Sequence, residues 1–155
     1  AAYCQSGSLR ADCATVDGVQ LPTEVFGLQT GLAGALPPSL GDLGPSLTQL
    51  DLNFNAITSL PTEIGALTSL TLLNLPSNAI TSLPAELAAL RGLAYLDLDS
   101  NQLTGLPTEF RTWGPSSYCD LFGNPGFSCA NVGAGTTCCT ADNCESGSTS
   151  TCYSG

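Results

Sequence analysis

The reactive side chains of this 155-residue chain are mostly acidic or phenolic: 13 Asp and Glu stand against 3 arginines, with no lysine and no histidine. The densest group is Tyr95, Asp97, Asp99, Tyr118, Asp120 and Phe122, with Asp51, Asn53 and Asn74 upstream. Carboxylates beside aromatic rings suit a basic or hydroxyl-rich partner, the rings supplying stacking area. Calcium is the metal such oxygens favour, but no DxDxDG loop occurs, so no metal is assigned. Paired carboxylates can cleave glycosides when one is held protonated, which a shallow strip of side chains does not provide. No histidine or lysine is present to act as base or Schiff-base former, and GxSxG, P-loop and HExxH motifs are missing. The expectation is a non-enzymatic chain with no catalytic residue and no cofactor.

Eight cysteines are the other reactive groups, and they occupy only the two ends: Cys4 and Cys13, then Cys119, Cys129, Cys138, Cys139, Cys144 and Cys152. Zinc needs histidines or paired CxxC spacings, and neither occurs. An even count at the chain ends reads as disulfides, hence an oxidising, extracellular setting. The opening "AAYC", without methionine, is as expected of a chain after removal of a secretory signal. Cys4 and Cys13 are expected to pair, being close together and far from the rest. The six C-terminal cysteines permit 15 connectivities, and the sequence does not choose among them. A net charge of −10 excludes a basic footprint for nucleic acid and disfavours anionic membranes. No apolar run reaches membrane-spanning length, so membrane insertion is not expected.

What must position the acidic and aromatic residues is a repeat. Leu47, Leu50, Leu52, Ile57, Leu60 and Leu67 recur 23 residues on at Leu70, Leu73, Leu75, Ile80, Leu83 and Leu90. They recur again at Leu93, Leu96, Leu98, Leu103, Leu106 and Trp113, and "SSYCDLFGNPGF" is a degenerate further copy. The pattern LxxLxLxxNxLxxLPxxLxxLxx is similar to that of the leucine-rich-repeat family. "GLAGALPPSLGDL" resembles the plant-type variant, and the resemblance spans roughly Leu32 to Phe127. It implies an α/β solenoid: a short right-handed coil with a narrow parallel β-sheet on its concave face, few or no regular helices, and disulfide-capped ends. The expected organisation is an N-terminal cap at 1–31, repeats at 32–115, and a degenerate last repeat with a Cys-rich cap at 116–155.

Each position also has its own physics. Leu50-x-Leu52 alternates with period two, as a short strand with both leucines inward. Pro61, Pro84 and Pro107 lack an N–H and belong where the chain turns to the outer side. Asn55, Asn78, Asn101 and Asn124 fall where the chain leaves the strand and its inward amides and carbonyls need partners, so they are expected to form a structural ladder. Thr58, Thr81 and Thr104 form a second column, read as turn residues that satisfy nearby backbone. Alternation leaves three concave columns: Gln49, Leu72, Tyr95, Tyr118; Asp51, Asn74, Asp97, Asp120; and Asn53, Pro76, Asp99, Phe122.

These columns support a secreted recognition module that binds a protein or carbohydrate on the concave face. The rival is a structural subunit of an extracellular matrix, cell wall or filament that self-associates, for which low charge density and a cross-linked tail speak.

Overall fold

The computed structural model describes residues 10–16, 19–112 and 118–125. Cys4, Cys129, Cys138, Cys139, Cys144, Cys152 and Trp113 lie outside them, and Cys13 is described only as backbone.

Three-residue strands recur where leucine alternates with a polar or aromatic residue. After a hairpin of β1 (Arg10–Val16) and β2 (Val19–Phe26), and a short β3 (Ala33–Ala35), come β4 (Gln49–Asp51), β5 (Ala56–Ser59), β6 (Leu72–Asn74), β7 (Tyr95–Asp97) and β8 (Tyr118–Asp120). The main sheet runs β1-β2-β4-β6-β7-β8, with β1 antiparallel to β2 and every later pair parallel. In β4, β6, β7 and β8 the middle residue is buried and its neighbours are half-buried. Register follows the repeat: Leu50, Leu73, Leu96 and Cys119 stand side by side. Parallel strands ordinarily need helical crossovers. In this coil the crossovers are single outer turns.

Those outer turns are 3₁₀ segments at Pro38–Ser46, Thr62–Ala66, Ala85–Ala89 and Thr108–Thr112, and no α-helix occurs among the described residues. Pro37, Pro61 and Pro84 cap three of them from outside the first turn, where a missing N–H costs nothing. The carbonyls of Pro61, Pro84 and Pro107 accept the first i→i+3 bonds, from Ile64, Leu87 and Phe110. The core between sheet and outer turns is a stack of aliphatic layers; Leu47, Leu50, Ile57, Ile64, Leu67, Leu70 and Leu73 all have no exposed surface. Each such leucine contributes about 2 kcal/mol by leaving water.

Successive outer turns pack at glycines. A Cβ on Gly65 would lie 2.9 Å from the Glu86 carbonyl oxygen and 3.0 Å from the Glu86 Cβ. Gly65→Ala is therefore expected to destabilise by about 1–3 kcal/mol, because backbone must move to admit the methyl. Gly92→Ala, whose Cβ would meet nothing closer than 3.9 Å, is the control and should change stability by less than about 0.5 kcal/mol. Urea unfolding of the two variants checks this; equal midpoints would refute the close packing at Gly65.

A second ladder lies after the asparagines, where the sequence suggested a plain turn. β3 pairs with β5 in parallel, and the contact continues through Ala79 N–H to the Ile57 carbonyl and Gln102 N–H to the Ile80 carbonyl. Thr58, Thr81 and Thr104 are exposed on it, and no side-chain hydrogen bond ties their hydroxyls to the backbone. Their expected bracing role is thus not what the structure shows: strand pairing and the asparagines satisfy these backbone groups instead.

A candidate recognition surface on the concave sheet

Four asparagines make the sheet face regular enough to carry a site. Asn101 has no exposed surface; its Oδ1 accepts the Ile80 N–H at 3.0 Å, and its Nδ2 donates to the carbonyls of Leu75 (2.9 Å), Leu98 (3.1 Å) and Asp99 (3.2 Å). Asn78 does the same for Ile57, Leu52, Leu75 and Pro76, and Asn124 for Leu103, Leu98, Leu121 and Phe122. Asn55, half-buried, accepts from the Leu32 N–H and donates to Gly27, Leu52 and Asn53. Each asparagine stitches its own turn to the one before.

The residue just before each asparagine takes positive φ: Phe54 (53°), Ser77 (55°), Ser100 (53°) and Gly123 (70°). The N–H groups of Phe54, Ser77 and Ser100 donate across to the next turn, to the carbonyls of Pro76, Asp99 and Phe122. A left-handed backbone is costly for a ring-bearing residue, so Phe54 is held by that bond and by its neighbours, and its ring stays exposed.

With this frame set, the concave columns fall in register. Gln49, Leu72, Tyr95 and Tyr118 form one, and Asp51, Asn74, Asp97 and Asp120 the next. Each gains a residue from β2, Glu24 and Phe26 respectively, neither of which the leucine pattern revealed. Asn53, Asp99 and Phe122 follow two residues beyond β4, β7 and β8; Phe122 is exposed, as is Leu28 beyond β2.

Tyr95 and Tyr118 stack with centroids 4.5 Å apart and planes within 10°. Their hydroxyls donate to neighbouring carboxylates, Tyr95 to Asp97 Oδ2 at 3.3 Å and Tyr118 to Asp120 Oδ2 at 3.0 Å. The other oxygens hold backbone: Asp97 Oδ1 accepts the Asp99 N–H at 3.0 Å, Asp120 Oδ1 the Phe122 N–H at 2.8 Å, and Asp51 Oδ1 the Asn53 N–H at 3.3 Å. The aspartate column therefore closes the strand ends as well as facing the partner side. Burial pushes both tyrosine pKa values up, with the aspartates adding to it, so the phenols keep their protons.

Asp97 is held above its ordinary value of 3.8, chiefly by burial and then by repulsion from Asp120 and Asp99, against bonds from the Asp99 N–H and the Tyr95 hydroxyl. A carboxylate raised on folding contributes stability that is complete below pH 3.8 and is lost as pH climbs through its folded value. Relative to Asp97→Asn, the native chain should lose stability from pH 3 to pH 7. Urea midpoints of both chains at the two pH values test this; a gap that grows in the native chain's favour would contradict it.

Cys119 is buried in the strand column and takes part in a disulfide, and no cluster of metal-ligating side chains occurs among the described residues. No helix of the described residues is long and apolar enough to cross a membrane. The coil of short parallel strands, outer 3₁₀ turns and a buried asparagine ladder defines a repeat solenoid.

Residues 45–103 match the family model for the leucine rich repeat, and the coil is a leucine-rich-repeat solenoid. A leucine-rich-repeat protein of Leptospira interrogans superposes with a TM-score of 0.55 at 40% identity over 61% of this chain. The leucine-rich-repeat ectodomain of the receptor kinase SOBIR1 from Arabidopsis thaliana does so at 0.58 and 25% identity over 70%. A plant ice-binding protein reaches 0.58 at 23% identity over 89%, a likeness of fold alone. The chain spans 24% of the Leptospira protein's length, 61% of the ectodomain's and 46% of the plant protein's. No curated protein matches it.

Proposed function

We propose that this chain is a secreted, non-enzymatic recognition module that holds a protein partner on the face of the sheet from β2 to β8. The observation that carries this reading is the division of labour along each strand. Leucines and asparagines meet the needs of the fold, and what remains is a regular face that includes stacked tyrosines, Leu72, and the exposed Phe122 and Leu28 at its margin. Aromatic and large aliphatic groups of this kind anchor protein interfaces. An extended concave surface is also the part of a solenoid left open to a partner. The extracellular placement is supported by the disulfide at Cys119 and by the likeness to a receptor ectodomain.

Site-specific photo-crosslinking tests the reading. A benzophenone side chain at Leu72 or Phe122 is expected to capture a protein from the native extracellular fluid. The same group at Glu86, on the outer side, should capture none. Capture only from Glu86 would overturn the assignment of the face.

A further inference from the structure

We infer that the occupant of this face is a cationic, extended peptide segment, whose arginine or lysine side chains enter between Asp97, Asp99 and Asp120 beside the tyrosine stack. This rests on the concave-face reading above and specifies its partner.

Charge is the first support. From β2 to β8 the columns hold Glu24, Asp51, Asp97, Asp99 and Asp120 and no lysine or arginine. Arg10, the β1 residue in register with Phe26, lies at the far edge of the sheet, and Arg91 is off the columns. The second support is independent of net charge. Three buried oxygens on this face, Asn53 Oδ1, Asn74 Oδ1 and Asp99 Oδ1, receive no hydrogen bond from the chain. All three are acceptors, and they add to the negative potential of this face.

Geometry narrows the donor. Asp97 and Asp120 stand on adjacent strands, about 4.8 Å apart along the stack, and each has already spent one oxygen on backbone and one on a tyrosine. A carboxylate accepts about four hydrogen bonds, so each retains capacity toward the open side. A guanidinium presents several donors in one plane, can span two neighbouring carboxylates, and lies flat against phenol rings. Burial raises the Asp97 carboxyl most, and repulsion from Asp120 and Asp99 adds to it; that repulsion is what a cation removes. The shape of the face, one strand-width per turn, suits an extended segment rather than a globular knob.

A displayed library of random peptides on the intact chain tests this. Enriched sequences should be rich in arginine and lysine. A synthetic peptide of that consensus should bind at least about tenfold more weakly to Asp97→Asn/Asp120→Asn, while Glu63→Gln/Glu86→Gln, with the same change of charge on the outer side, keeps its affinity. In the native chain alone, binding should weaken steeply between low and high salt, a readout that survives if the double variant folds poorly. Enrichment of neutral or acidic peptides whose binding depends on Leu72 and Phe122 would overturn the cationic class and leave the concave face standing. Peptides that lose as much affinity to the outer-side variant, or that ignore both pairs, would overturn the site itself.

Discussion

Asn101→Leu is expected to melt roughly 10 °C below the native chain. The substitution leaves no cavity, since leucine fills nearly the same space, so the loss isolates the polar contacts. The Leu75 carbonyl keeps Asn78, the Leu98 carbonyl keeps Asn124, and the Asp99 carbonyl keeps the Ser77 N–H. The Ile80 N–H, by contrast, has only Asn101 Oδ1, and it is buried. One orphaned donor plus three weakened acceptors amounts to about 3 kcal/mol, or roughly 10 °C in a domain of this size. Asn55→Leu should cost about half as much, because Asn55 is half-exposed and water can replace it. Thermal unfolding followed by circular dichroism decides the matter; a native melting temperature for Asn101→Leu would remove the asparagine ladder from the account of stability.

The second large effect separates two adjacent leucines. Leu73 has no exposed surface and sits in the column of Leu50 and Leu96, so Leu73→Ala should cost about 3 kcal/mol through lost burial and an unfilled cavity. Leu72 faces the concave side half-buried, and Leu72→Ala should cost about 1 kcal/mol or less. Both variants keep the strand and differ only in the face they change. Equal losses in urea would mean that the register is off by one residue, which would also move every residue of the proposed site to the core.

The 23-residue period made the coil, its buried columns and the concave columns legible, because one repeating register suffices to align every copy. It failed at the first turn. β2 presents Val25, Gly27 and Thr30 where later turns have leucine, leucine and asparagine, and it is offset from β4 by 25 residues, not 23. Thr30 still donates to the Gly27 carbonyl, at 3.2 Å, a short stand-in for the asparagine. No leucine pattern reveals such a turn; only pairing does. The positive-φ position was hidden for a similar reason: Phe54 shares no side-chain chemistry with Ser77 and Ser100, and only Gly123 hints at it. The aspartates were read as partner-facing, and their second task, closing the strand end through the N–H two residues on, is a matter of rotamer that composition does not report.

The asparagine ladder also has a direction. Every Oδ1 and one Nδ2 bond of each asparagine reach back to the preceding turn, and none reaches forward. A ribosome delivers the turns in that same order. Each newly emerged turn therefore waits with an unpaired N–H until the asparagine about 21 residues later arrives. The nascent coil closes from behind, one turn in arrears. Fraying in the finished molecule is likewise asymmetric for this ladder: opening the β8 turn strips the Leu103 N–H of its asparagine acceptor, whereas opening the β2 turn takes no asparagine acceptor from any later N–H.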